Sequence, residues 1–294
     1  MNDLTFGVMG GLGCGLNWAV TSLLVRTLSQ RLSPASISAI RSTGGGTLLI
    51  LTAIAAGEGK ALLTAPFWVV LSSWTAILIS MAFGDTLFFR SMDHLGVTRA
   101  LTLSLANPLL TTLTGILLYG EAMTMARLAG IALVIGGLTL IISGRGGEGA
   151  ATARAARRGL WLVFAAAGAW ALSATILKPP MQAIPVLAGT ALRIPFAGVV
   201  LWLTPWTQGT LRILRTSSPN ERARFGALCI LNAVGSILFT IAIRFGGVAV
   251  GNALASTAPL FAIPLEVWIL RQRPSRETVW GAVITVAGIA CLNL

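Results

Sequence analysis

Ten apolar runs, each close to the length a helix needs to cross a bilayer, leave this chain one class of fold. They occupy roughly 4–25, 35–56, 66–89, 97–118, 124–143, 159–178, 184–204, 225–244, 248–270 and 276–293. A helix crosses the hydrocarbon layer with about 20 apolar residues, and inside that layer its backbone groups are satisfied within the segment. Only 10% of the 294 residues are charged, whereas a soluble domain carries about 25%. Too little polar surface exists to cover a soluble core of this size. The reading is an all-α integral membrane protein with ten transmembrane helices. The first run starts almost at once, without the basic stretch that precedes a cleaved leader, and is read as a retained span.

The net charge is +12, which in a soluble protein would suggest nucleic acid. Here the basic residues fall mostly between the apolar runs, and no basic stretch carries interleaved aromatics, so nucleic-acid binding is excluded. Fifteen of them lie in the odd-numbered connections: Arg26, Arg31, Arg90, Arg99, Arg145, Arg154, Arg157, Arg158, Arg212, Arg215, Arg222, Arg224, Arg271, Arg273 and Arg276. Four lie in the even-numbered ones: Lys60, Arg127, Lys178 and Arg244. The positive-inside rule then puts the odd connections in the cytoplasm and both termini outside a cytoplasmic (inner) membrane. Arg41 and Arg193 are left inside spans. Cys14, Cys229 and Cys291 sit in apolar segments without metal-ligand spacing and read as small hydrophobes.

The second half of the chain repeats the first. With a shift of 151 residues, Gly84 meets Gly235, Leu87-Phe88 meet Leu238-Phe239, Gly96-Val97 meet Gly247-Val248, and Pro108-Leu109 meet Pro259-Leu260. Gly130 and Gly137 meet Gly281 and Gly288 in the same register. Nearer the start, with a shift of 152, Trp18-Ala19 meet Trp170-Ala171 and Arg41 meets Arg193. Five spans per half is an odd number, so the second half enters the membrane from the opposite side. The expectation is two inverted five-helix repeats around a central cavity, at 1–144 and 159–294, joined by a flexible basic linker at 145–158. Secondary transporters built this way bind substrate near the midplane between the halves. Pro108 and Pro259 would break the fourth and ninth spans, tolerable only where protein or water satisfies the freed backbone groups. Gly130 and Gly137 give the fifth span a small-residue stripe for close packing.

The stretch "NPLLTTLTGILLYGEAMTMARLAGIALVIGG" resembles the end of the repeat in EamA-type members of the drug/metabolite transporter superfamily: a proline-bearing helix, a Gly-Glu turn, then a glycine-rich helix. "NWAVTSLLVR" and "AWALSATILKP" resemble the first helices of its two repeats. The second repeat departs from the pattern, with Arg271-Gln272 where Gly120-Glu121 stands in the first, which makes Glu121 a loop or capping residue. The resemblance implies ten helices, a cavity lined mainly by the third, fourth, eighth and ninth with the first and sixth, and export of small metabolites.

Polar groups inside a membrane are costly and face a cavity or a neighbouring helix. Asp85, about one turn before the end of the third span, reads either as the ion-pair partner of Arg41 or Arg90 or as a cation or proton site; its counterpart Ser236 is not an acid. Glu266 reads as a coupling carboxylate, or as one that snorkels or pairs with Arg271. Arg193 has no obvious acid nearby and either receives a substrate carboxylate or snorkels to headgroups. Asn17, Asn107, Asn232 and Asn252 are helix–helix contacts or substrate contacts. Trp18 and Trp170, mid-helix at matching positions, read as cavity wall or gate, whereas Trp68, Trp206 and Trp280 suit the interfacial belts. Phe88, Ser236 and Ser256 complete the expected substrate-binding set. His94, the only histidine, follows Asp93 at a cytoplasmic loop and builds no metal site alone.

No Walker A pattern is present, so ATP is not the driver within this chain. No His-Glu-x-x-His, Gly-x-Ser-x-Gly or paired intramembrane aspartates point to an enzyme. The reading is a secondary transporter that exports small amphipathic metabolites such as amino acids. Efflux of lipophilic cations, metabolite uptake and channel conduction are the alternatives. No cofactor or metal is called for; the expected partners are a small-molecule substrate and the bilayer, a proton is a permitted coupling ion, and a monomer suffices.

Overall fold

A computed structural model describes residues 3–119, 123–143, 150–271 and 274–292. Gly120-Glu121, Gln272 and the side chain of Asn252 lie outside the described residues. The principal helices are α1 (Asp3–Leu28), α2 (Pro34–Ala55), α3 (Phe67–Leu95), α4 (Val97–Ser104), α5 (Ala106–Tyr119), α6 (Met125–Ser143), α7 (Ala150–Ala183), α8 (Val186–Trp202), α9 (Pro219–Ala255), α10 (Ala258–Leu265) and α11 (Arg276–Leu292), with shorter helical pieces between them. No strand occurs among the described residues. Six helices are long and apolar enough to cross a membrane, or seven if α8 and the segment Pro205–Thr216, bent by 80°, form one span. Large apolar side chains stand on the outer surface, among them Leu51, Ile54, Trp68, Leu117 and Trp280. In water such a surface would aggregate; in a bilayer it faces lipid.

The ends of these helices follow local chemistry. Ser33 precedes Pro34 and its hydroxyl accepts from the Ser36 amide at 3.1 Å, pairing an N-cap with a proline whose missing N–H costs nothing there. Ser218 and Glu221 form a reciprocal capping box at the start of α9. The break between α4 and α5 falls at Leu105, and that between α9 and α10 at Ser256–Thr257. These positions correspond under the 151-residue shift. Pro108 and Pro259 therefore sit in the first turns of α5 and α10, where the missing donor is tolerated.

Three boundaries differ from the sequence expectation. The third helix continues to Leu95 rather than ending near 89, so Asp85 lies mid-helix, at the end of a π-helical segment, Leu78–Asp85. The charged residues Arg90 and Asp93 mark where apolar character ends, not where the helix does. Residues 150–158 are not a flexible linker but the first turns of α7; their alanines and arginines are strong helix formers. The eighth and ninth apolar runs are not separated by a helix end, since α9 is helical from 219 to 255. The chain nevertheless doubles back. A methyl added at Gly10 would meet Ala242, and one added at Gly11 would meet Leu254. In a straight helix those two targets would be about 18 Å apart.

Helix crossings between the halves are reciprocal under the repeat shift. A methyl at Gly130 would come within 2.7 Å of the Gly288 carbonyl oxygen, and one at Gly137 within 2.8 Å of the Gly281 carbonyl oxygen. Gly130 thus faces the counterpart of Gly137, and Gly137 the counterpart of Gly130, along two antiparallel helices. The same exchange relates Gly46 against Pro195 to Gly198 against Thr43. Gly84 stands against the Trp170 indole, and its counterpart Gly235 against the Asn17 amide, with the Trp18 indole beyond it. Only glycine permits these approaches, because the facing atoms are largely backbone or ring.

Candidate functional site

Two connected hollows lie between the halves, one of about 500 Å³ and one of about 330 Å³. They share Trp18, Thr21, Arg41, Arg193, Asn232 and Ser236 as wall. The larger reaches Glu58 and Pro185, where α2 ends and α8 begins. The smaller runs between Phe88 and Trp170 to the helix breaks at Pro108 and Pro259, with Asn107 and Ser256 beside them. The breaks therefore fall where a cavity meets the backbone, as irregular helix inside a membrane requires. Of the residues singled out from the sequence, Asn17, Trp18, Asp85, Phe88, Asn107, Pro108, Trp170, Arg193, Asn232, Ser236, Ser256 and Pro259 line this space.

Glu266 does not line it. The carboxylate is buried and accepts from the amides of Val97 at 3.2 Å and Thr98 at 3.1 Å, and from the Thr98 hydroxyl. It caps the N-terminus of α4, whose preceding residue Gly96 has φ +80°. Neither snorkelling nor pairing with Arg271 describes it. A carboxylate at a helix N-terminus satisfies orphan donors and complements the helix dipole. Glu58 does the same for α8, accepting from the Ala188 amide at 2.8 Å. Glu58 was not singled out in the sequence, because a cap contributed by another helix leaves no local pattern.

The wall holds one buried polar network. Arg41 forms an ion pair with Asp85, both side chains 11% exposed. Arg90 has no part in it. Arg41 also donates to Asn232 Oδ1 at 3.2 Å, and the Asn232 amide donates back to the Arg41 carbonyl at 3.1 Å. The Arg41 guanidinium lies 5.2 Å from the centre of the Phe89 ring, a cation–π contact. The Trp170 indole N–H donates to Asp85 at 3.0 Å and to the Ser80 carbonyl, inside the π-helical segment, at 3.2 Å. Four helices, α2, α3, α7 and α9, meet at this point, two from each half. Arg41 is the residue the sequence reading undervalued; its alignment with Arg193 was the available signal.

Arg193 stands on the same wall without such a network, and no acceptor for it occurs among the described residues. Asn17 donates to the Leu231 carbonyl at 3.0 Å, while Asn17 Oδ1 and Thr21 Oγ1, one turn apart, have no hydrogen-bond partner among the described residues. Among the described residues no three His, Cys, Asp or Glu side chains come together to hold a metal ion.

The end of the bundle away from Glu58 is closed. Leu23, Leu28, Phe89, Met92, Leu101 and Phe225 pack there in the main apolar core. Ion pairs Arg26–Asp93 and Arg31–Glu221 lie beyond them, the second joining the two halves.

Residues 5–143 and again 157–294 match the EamA-like transporter family. An uncharacterized transporter of Archaeoglobus fulgidus is 26% identical over 217 residues, 74% of this chain and 73% of that protein. A second from the same organism is 27% identical over 142 residues, and one from Bacillus subtilis 29% identical over 146 residues. The chain spans about half the length of those two, 48% and 45%. A solved crystal structure shares the fold with a TM-score of 0.68 over 98% of this chain and 97% of that one, at 18% identity.

Proposed function

The chain belongs to the EamA-like transporter family of the drug/metabolite transporter superfamily, and from that premise we propose that it is a secondary transporter exporting small amphipathic metabolites, such as amino acids, by alternating access. It is a multi-pass membrane protein, read here as ten spans in two inverted five-helix repeats of a cytoplasmic membrane, with both termini outside. One observation carries the proposal: a cavity of ligand-binding size lies between two halves whose contacts exchange under the repeat shift. Halves related this way can trade roles, opening one side and then the other.

The state seen here fits that cycle. The cavity reaches the end near Glu58, assigned to the outside by the charge distribution, while the basic end is sealed by apolar packing and two ion pairs. Asp85, on the cavity wall, is the coupling candidate; Glu266, spent on a helix cap, is not. Lipophilic cations suit the cavity poorly, because with Arg41 paired to Asp85 the Arg193 guanidinium leaves its wall positive.

The test compares growth media of cells expressing the intact chain and an Asn17→Ala, Trp170→Ala variant at matched membrane expression, with small metabolites quantified in both. Export predicts that one chemical class accumulates outside only with the intact chain. Equal accumulation with both would remove these residues from the site, and an unchanged medium would remove export.

A further inference from the structure

We propose that the transported solute carries a carboxylate, and that it stands beside Arg193 and the Trp18 indole N–H, in the place that Asp85 takes beside Arg41 and Trp170 in the other half. The inference rests on the transporter reading and names its substrate class.

The reasoning compares two corners of one cavity. In the first half, Arg41 has Asp85 as counter-ion and Asn232 as acceptor, and the Trp170 N–H donates to Asp85. In the second half the cation and the indole are kept. Arg193 corresponds to Arg41, and Trp18 to Trp170. Their surroundings are kept too. Each indole lies beside the matching phenylalanine, and Trp18 Nε1 comes within 3.7 Å of a methyl added at Gly235, where Asn17 stands closer. Ring centres are 5.1 Å apart for Trp170–Phe88 and 5.9 Å for Trp18–Phe239.

What is missing is the anion. The counterpart of Asp85 is Ser236, whose hydroxyl donates to the Asn232 carbonyl at 2.8 Å on its own helix. The counterpart of Asn232 is Met81 in the 151 register and Ser80 in the 152 register, neither of them an amide. Arg193 is therefore left without an acceptor, and the Trp18 N–H likewise has none among the described residues. Both line both hollows, as does Ser236. A guanidinium and an indole N–H donor that line the same two hollows, where the matching corner holds a carboxylate, select an oxyanion. Charge-assisted bonds to a guanidinium are the strongest available there. Glu58, the other acid on the wall, is at the mouth and committed to the Ala188 amide. Arg41 is neutralised by Asp85, so the inner cavity carries one uncompensated positive charge, which a monoanionic group balances.

The experiment reads ligand protection of the purified full-length protein. Thermal shifts are measured with a panel of small carboxylates, each beside its primary amide and its decarboxylated amine, starting with phenylalanine, 3-phenylpropanoate, phenylalaninamide and phenethylamine. Wild type is compared with Arg193→Gln and with Ser236→Asp, which installs the missing counter-ion. The expected result is protection by carboxylates alone. Their affinity should fall about 10- to 100-fold in both variants, while Ser236→Asp keeps or raises the unliganded melting temperature. If Ser236→Asp does not fold, Arg193→Gln carries the test. Protection by amides or amines equal to that by carboxylates overturns the inference and leaves the transporter reading intact. So does carboxylate protection undiminished in Ser236→Asp. No protection by any class, together with an unchanged growth medium, removes both.

Discussion

Asp85→Asn is the substitution whose cost the structure defines most closely. Asparagine keeps an oxygen to accept the Trp170 N–H and has nearly the same volume, so the change removes charge and little else. Arg41 would then hold only Asn232 Oδ1 at 3.2 Å and the Phe89 ring face at 5.2 Å, neither of them anionic. Breaking a buried pair by removing one partner costs about 3–5 kcal/mol, because a charge is left uncompensated. One side of this pair faces the cavity, where water enters, which sets the value near the lower end, about 3 kcal/mol. That is roughly a hundredfold in the folded-to-unfolded ratio. Removing both charges, as Arg41→Met with Asp85→Leu, should return stability to within about 1 kcal/mol of wild type, since apolar replacements of similar volume avoid the desolvation cost. The assay is denaturant unfolding of wild type, Asp85→Asn and the double variant in detergent, followed by tryptophan fluorescence. Equal midpoints for Asp85→Asn and the double variant would refute the reasoning, because the single change would then strand no charge.

Three further outcomes follow from contacts already described. Gly137→Ala drives a methyl into the Gly281 carbonyl and should lower stability by about 1–3 kcal/mol, whereas Gly136→Ala, with nothing within 4 Å, should be neutral; parallel melting curves check the pair. Glu266→Ala should cost about 1–2 kcal/mol and speed amide exchange at Val97 and Thr98, with substrate affinity unchanged. Trp170→Phe keeps the ring beside Phe88 but loses the donor to Asp85 and Ser80, and should cost about 1 kcal/mol in the same unfolding assay.

Much of the fold is legible in the sequence because a bilayer imposes length on every apolar segment. The glycine register and both proline positions were likewise readable, since each reflects a backbone requirement rather than a side-chain choice. Boundaries were less so. The third helix continues beyond Arg90 to Leu95 because a helix leaving the membrane loses its apolar surroundings and not its hydrogen bonds. The composition of the cavity wall was visible as polar residues in apolar runs, but its wiring was not. That Asp85 belongs to Arg41, and that Glu266 caps a helix of the other half, are facts of tertiary approach between residues 44 and 168 or 169 positions apart. No local pattern encodes them.

The π-helical segment Leu78–Asp85 also bears on how alike the two halves can be. Their register is 152 residues as far as Gly46 and Gly198, and 151 from Gly84 and Gly235 onward, so the first half holds one surplus residue in between. A wide turn is how a helix absorbs such a residue. Without it, everything downstream would be rotated by about 100° and displaced by about 1.5 Å. The π-helical segment lies in that interval just before Asp85 and Phe88, where it can take up the extra residue without changing their phase with the cavity. In a molecule whose halves exchange roles, identical halves would make the two facing states equal in energy. The surplus residue, like Asp85 set against Ser236, is one of the differences that keep the halves from being equivalent in the proposed cycle.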